Sequence, residues 1–588
     1  MLKRNINVKL AQKAAMFMAG FTLYQCLRIA LTASSFALKR FSIPRRNVDI
    51  FITKIHNSME VAIFLGILIM TLYILFTPRK YSHYNNLVSV VTNWLVCVLY
   101  FVVLYAYAGN GKLGHLTAYY WGLVLSGFAM GMNQSIVMSV SVDNISFFAG
   151  AIPFAGVQVS IYHILFLKIN RGREDYDVDY WILVYQIIFA IIISTVTAIL
   201  WTVGFLGEFT SKLRRNSLID NTEVPTIVID LGEQNSDEND TSTDNPNFNS
   251  SDNDSLNSRD KDSLNSRDKD SLNSRDKDAD DEMDSDVRLG QKGLDDLNRK
   301  SKRVFITDIT RKLSKSLSFF VDLSFYKSVC NAASPILMST IAMGLVYFVF
   351  PAIAPYRFTD LVTAHRIDVS ILITFIAPAV INIILCGYNI GPNCDWSVKK
   401  YWHLIWLFAI PYFICIVLFL VPIHYPESHF GQLMTSNTAV LATVCFTFSI
   451  SHAILKTVGF TGAGVQSTTI PNPTIVNNTD IQFNPRGSDA PQLTVGKGKP
   501  NGRKDRSRNG QVSSFNILLS YFFLVFFAFL GDGYIKTIKL FERNRDFWPT
   551  YDMGFFASFA FWTKKSFKRG LKSFGEVFTL NVRDQLMT

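Results

Sequence analysis

Within long apolar stretches of this chain lie a few side chains that hydrocarbon cannot satisfy. Asn133, Gln134 and Ser135 occur together in GMNQS. Gln158 and His163 follow in the next stretch, Asn382 and Asn389 share another, and Arg28 and His452 stand alone in theirs. A polar group there is costly unless it meets a partner or a water-filled path. Amides offer both donors and acceptors, so they suit a neutral polar ligand and not a fixed ion. They serve equally well as links between helices, and the sequence leaves both roles open. His163 and His452 are expected to be satisfied packing groups. Arg28 is near the middle of its stretch and either snorkels or supplies a functional charge. Pro153, Pro351, Pro378 and Pro411 interrupt apolar stretches, as in helices that move or line cavities. Small residues crowd Gly127 to Gly156, in SGFAMG and SFFAGAIPFAG, where close helix packing is the expected role.

Eleven apolar runs must position these groups. They cover about 14–37, 59–77, 87–108, 114–140, 145–168, 181–206, 330–354, 367–389, 402–422, 436–460 and 515–538. A run of about 20 residues crosses a hydrocarbon core of about 30 Å. Hydrophobic residues make up 49% of the 588 and charged ones 18%, below the roughly 25% of soluble domains. The fold class is therefore an all-α polytopic membrane protein with about 11 transmembrane helices, and a soluble enzyme is excluded as the default. Seven cysteines, six of them inside the runs, are expected to pack rather than pair or bind metal.

Charge divides the chain further. Residues 220–296 hold 23 of the 46 acidic residues and only 8 of the 57 basic ones, leaving 49 basic and 23 acidic residues elsewhere. The octapeptide DSLNSRDK occurs three times in a row at 254–261, 262–269 and 270–277. One Leu per eight residues cannot build a core, so this reads as a disordered linker. The predicted organisation is a six-span bundle over 1–206, an acidic cytoplasmic loop over 207–329 and four spans over 330–460. A basic insert over 461–512, a last span over 513–538 and a basic tail over 539–588 complete it. Lys and Arg beside the runs place the N-terminus and both inserts in the cytoplasm. Two basic segments break that rule: the first connection (Lys39, Arg40, Arg45, Arg46, Lys54) and the tail. In the tail, YDMGFFASFAFW at 551–562 is too short to span and suits an interfacial or re-entrant position.

No Gly-rich loop ending in Gly-Lys-Ser/Thr, no HExxH, no Gly-x-Ser-x-Gly and no voltage-sensor repeat occurs in the sequence. An enzyme, a cofactor and a metal are not expected, nor is nucleic acid binding. With few acidic residues in the runs, proton relay is disfavoured and facilitated diffusion is preferred.

The layout of six spans, a long loop and five spans resembles the equilibrative nucleoside transporter family. FVFPAIAP (Phe348–Pro355) resembles the family's Phe-Pro-Ala-Ile segment. GMNQS and AIPFAG (Ala151–Gly156) resemble its Gln-Gly-Ser and Gly-x-x-x-Ala-Gly segments, and Gly20 and Ala33 have its span-one spacing. GYNIGPNCDW resembles its Phe-Asn-x-x-Asp-x-x-Gly-Arg stretch, with Asn389 on the Asn. The family's span-one Pro-Trp-Asn is replaced by Cys26, Leu27 and Arg28, and its span-eight Asp and Arg by Pro392 and Trp396. The insert and the Phe/Asn-rich style also resemble the Tpr-related membrane protein families of piroplasm parasites. The first resemblance implies two bundles with a site between them and alternating access. It implies a small polar solute such as a nucleoside or nucleobase as partner, with the lipid bilayer and no cofactor. Asn133, Gln134, Gln158 and Asn389 are the expected substrate contacts, Arg28 an altered gate or counter-charge, and Pro351 a helix break. The plasma membrane is expected over an internal one. The lost charged positions keep a second expectation open: a diverged surface antigen or scaffold that kept the fold without transport.

Overall fold

The computed structural model describes residues 2–31, 34–44, 48–78, 81–109, 115–173, 175–220, 323–350, 353–466, 506–542 and 548–578. The three octapeptides, most of both polar inserts and Pro351 lie outside them. The described residues are helical, with no strand. Among the described residues, nine helices are long and apolar enough to cross a membrane, and a tenth segment is a pair bent by 71°. The chain is a multi-pass integral membrane protein.

The first predicted span falls instead on three helices: α1 (Leu2–Leu23), α2 (Gln25–Leu31) and α3 (Ser34–Arg40). Lys13 and Arg28 leave an uninterrupted apolar length below the roughly 20 residues that one straight span needs. The next five spans are single helices: α4 (Val48–Phe76), α5 (Tyr84–Ala108), α6 (Leu116–Val140), α7 (Ile145–Ile169) and α8 (Val178–Asp220). The bent pair is α9 (Leu323–Asn331) and α10 (Ala333–Val349). The span at 367–389 is divided into α11 (Leu361–Thr374) and α12 (Ile376–Gly387). The next begins as a 3₁₀ segment, Lys400–Phe408, and continues as α13 (Ala409–His424). A short α14 (His429–Ser436) leads into α15 (Thr438–Gln466). The last span is α16 (Arg506–Phe541), and α17 (Phe555–Glu576) follows it.

Packing follows residue size. A Cβ on Gly131 would collide with the Ile63 carbonyl oxygen and lie 2.9 Å from its carbon, and one on Gly127 would lie 2.6 Å from Met59 Cγ. Gly66 is equally tight against the Phe128 carbonyl. Small residues thus bring α4 and α6 into backbone contact, which favours association where lipid offers no hydrophobic drive. One hydrophobic cluster gathers α1 to α8, and a second gathers α10, α11 and α13 to α15. α16 belongs to both: Ile517, Tyr521, Leu524 and Phe529 fill the first, while Tyr534 and Ile538 fill the second.

The two groups of helices also meet directly, α4 and α6 against α16, and α7 against α11, α12 and α15. At one end the seam is tight. Thr71 Oγ1 lies 3.0 Å from Ser135 Oγ, and Ser514 Oγ donates to the Ser135 carbonyl at 3.3 Å. A Cβ on Gly510 would lie 2.6 Å from the Ser139 oxygen, and one on Gly464 would lie 2.8 Å from Val142 Cγ1. At the opposite end of α16, α17 runs back along it. Phe541 faces Trp562 at 5.9 Å and Phe529 faces Phe574 at 5.3 Å, with Gly533 pressed onto the Ser566 carbonyl between them. The stretch 551–562 is therefore the entry to a longer amphipathic helix.

Candidate functional site

Where α2 and α7 face α10, α11 and α15, the packing leaves a cavity of about 110 Å³. Its position follows from two local breaks. The chain turns at Tyr24, which separates α1 from α2 and sets Arg28 on a short helix beside Gly156 of α7. A Cβ on Gly156 would touch Arg28 Nη2 at 3.4 Å, so the glycine makes room for the guanidinium. Opposite, α11 stops at Phe375, and α15 carries His452 and Lys456 on one face, four residues apart.

The walls are aromatic and carry charged side chains among their polar groups. Tyr24, Tyr347, Phe350, Phe375 and Phe448 line the cavity together with Arg28, Asp368, His452 and Lys456. Lys456 Nζ sits 5.1 Å from the centre of the Tyr24 ring, a cation–π contact that joins the two sides. Asp368 accepts from the Tyr356 hydroxyl at 3.2 Å. His452 Nδ1 is 3.0 Å from the Ala342 carbonyl, which holds the ring in the cavity wall. Arg28 Nε has no hydrogen-bond partner among the described residues.

Behind this lining lies a second polar layer. Glu60 of α4 is 2% exposed, and its Oε1 is 3.6 Å from His56 Nε2, one turn earlier. The Tyr347 hydroxyl of α10 hydrogen-bonds this carboxyl group, and Lys456 of α15 is the charged group that acts on it from the facing helices. The His56 ring meets the Tyr347 ring edge-on at 4.9 Å. The second layer therefore links the α4 side to the α10 and α15 side through Tyr347. Ionisable groups held this deep in spans are functional candidates, because burial without purpose is costly.

Of the residues expected from sequence, Arg28 reaches the cavity. Asn133 accepts from Thr92 at 2.9 Å and donates to Asn93 at 3.2 Å, linking α5 to α6. Gln134 is buried beside it, and its Oε1 has no hydrogen-bond partner among the described residues. Gln158 accepts from Gln25 at 3.1 Å, and Gln25 in turn accepts from Gln186 at 3.4 Å, a chain joining α7, α2 and α8. Asn389 is exposed just after α12, with φ of +57°. Pro351 is outside the described residues. Trp396, which stands where the resembled family has its span-eight Arg, is buried. Its backbone N–H donates to Gln466 Oε1 at 3.0 Å and its ring to the Pro392 carbonyl at 2.9 Å, fastening the loop after α12 to the end of α15.

Glu60, His56, Asp368, Lys456, Tyr24 and Tyr347 were not singled out by sequence. The second apolar run starts at 59, with Glu60 at its edge, whereas the candidate span begins at Lys54. The His-x-x-x-Glu spacing at 56–60 was the available signal. Likewise Asp368 lies inside the candidate span Arg366–Gly387, so the spans hold more acid than their apolar cores suggested.

No family model matches the chain, and no curated protein matches it. Two solved structures are similar over nearly the whole length. A D-xylose-proton symporter aligns with 9% identity over 96% of this chain and 97% of its own, at a TM-score of 0.42. The proton:xylose symporter XylE of the major facilitator superfamily, bound to 6-bromo-6-deoxy-D-glucose, aligns with 10% identity over 99% and 100%, at a TM-score of 0.45.

Proposed function

We propose that this protein carries a small polar solute across the membrane by exposing the central cavity to each side in turn. One observation supports this reading above the others: Arg28 from the first group of helices meets Asp368, His452 and Lys456 from the second across a single cavity. A site shared in that way is remade whenever the two groups rock against each other. The tight seam at one end, held by Ser514, Gly510 and Gly464, supplies the contacts that rocking must break. The space of about 110 Å³ is below the roughly 300 Å³ at which small-molecule sites begin, so solute entry requires the walls to part.

A nucleoside or nucleobase is the substrate class this reading carries forward. The aromatic walls suit a flat heterocycle, and the polar rim suits its donors and acceptors. The test is uptake of a radiolabelled nucleoside and nucleobase panel in transporter-deficient cells, with surface protein quantified in parallel. Saturable uptake competed by unlabelled purines is expected. Absence of uptake for the whole panel despite surface expression would refute the substrate class. Absence with every other small polar solute tested would favour a retained fold without transport.

A further inference from the structure

α17 carries three faces that no other described helix combines. At about 100° per residue, Trp562, Ser566, Gly570 and Ser573 form one stripe, and all four are buried against α16. Phe556, Phe567, Leu571 and Phe574 form a second stripe within an arc of about 60°, and all four are exposed, Phe556 by 84%. Lys564, Lys565, Lys568, Arg569 and Lys572 fill a third arc of about 140° on the other side of the buried stripe. Lys564, Lys568 and Lys572 are exposed. Lys565 lies over the Phe561 ring at 5.6 Å, and Arg569 donates to the Lys536 carbonyl at 3.3 Å.

Neither water nor hydrocarbon accommodates all of this. A solvated helix gains nothing from an exposed line of phenylalanines. A buried span cannot hold five cations in one arc. The apolar stripe also continues the outer surface of α16: Phe567 lies 6.2 Å from Phe526, which is itself exposed and sits inside a candidate span. That continuity makes lipid the neighbour the stripe suits, and headgroups the neighbour the basic arc suits.

We propose that α17 is an interfacial helix that binds anionic phospholipid in the leaflet where α16 ends. Its phenylalanines sink to the level of the acyl chains, and Lys564, Lys568 and Lys572 take the headgroup charge. The helix is held against the protein by the Gly533–Gly570 crossing. Tyr120, whose hydroxyl donates to the Val577 carbonyl at 3.0 Å, and Lys54, which donates to the Glu576 carbonyl at 3.3 Å, tie its end to α6 and α4. Bound lipid thus contacts an element that touches both groups of helices.

The experiment titrates the full-length protein in neutral detergent with phosphatidylserine or phosphatidylcholine and counts bound lipid by native mass spectrometry. Phosphatidylserine is expected to bind more tightly. The triple variant K564Q/K568Q/K572Q should lose that preference, at about fivefold per charge removed, with phosphatidylcholine binding unchanged. K564R/K568R/K572R should keep it, which separates charge from folding. Equal affinity of the native protein for both lipids would overturn the proposal. A preference surviving the glutamine triple would also overturn it, by locating the anion site elsewhere.

Discussion

Gly131→Ala should destabilise the protein, although alanine is the better helix former. Helix propensity alone favours the exchange by about 1 kcal/mol. Against it stands the Ile63 backbone, whose carbonyl carbon and Cα would lie 2.9 Å and 3.0 Å from the new Cβ, with the oxygen nearer still. Neither atom can rotate away, so α4 and α6 must part by about 0.5 Å or more to reach ordinary contact. A gap of that size forfeits a quarter to a half of each dispersion well along the seam. Overpacking of this kind costs about 1–3 kcal/mol, and subtracting the propensity gain leaves a net loss of about 0–2 kcal/mol, toward the upper end because the clash is with backbone. Gly207→Ala is the matched control, since a Cβ there meets nothing within 4 Å and only the propensity gain should remain. Purified variants would be heated in one detergent under one protocol, and the monodisperse fraction read by size exclusion, because unfolding in detergent is irreversible. The midpoint should fall for Gly131→Ala and hold or rise for Gly207→Ala. Gly66→Ala lies on the same seam, so the double variant with Gly131→Ala should cost less than the two losses added. A Gly131→Ala protein as stable as the control would refute the reasoning.

Three further outcomes are expected. Arg28→Gln and Lys456→Gln should each lower uptake efficiency tenfold or more at equal surface expression, as loss of a charged hydrogen bond of about 1.5–3 kcal/mol implies; unchanged uptake would remove them from the site. Asn133→Ala should lower the thermal midpoint by the loss of its Thr92 and Asn93 bonds, about 1 kcal/mol, and leave KM unaltered, whereas a raised KM would return Asn133 to solute contact. A cysteine pair replacing Ser135 and Ser514 should stop uptake on oxidation and restore it on reduction. Uptake that continues through the crosslink would show that the seam does not open.

Ten of the eleven runs match candidate spans among the described residues, counting the bent pair as one, because hydropathy and length are one-dimensional properties; the first run does not. Breaks within them were harder. The turn at Tyr24 has no proline near it to announce it, whereas the division at Phe375 falls where Pro378 cannot donate to the Thr374 carbonyl. The amides show the same limit from the other side. Asn133 and Gln158 looked alike in sequence, and each found a partner on a helix dozens of residues away. Arg28 was recognisable because a charge in mid-span has few satisfactory places. Glu60 escaped notice because the first turns of α4 are polar enough to pass for a loop, yet α2, α3, α6 and α16 pack against this helix and Glu60 is buried.

The sharing of α16 between the two hydrophobic clusters bears on biosynthesis. Insertion proceeds from the N-terminus, so α1 to α8 enter the bilayer long before Ile517, Tyr521 and Phe529 exist to fill their cluster. The second group of helices waits in the same way for Tyr534 and Ile538. Until the final span is made, two unfinished surfaces persist side by side, and one late helix completes both. A chain stopped before residue 506 would therefore present each bundle to the cell's quality control as incomplete, and loss of this single segment should send the whole protein to degradation rather than leave either half behind.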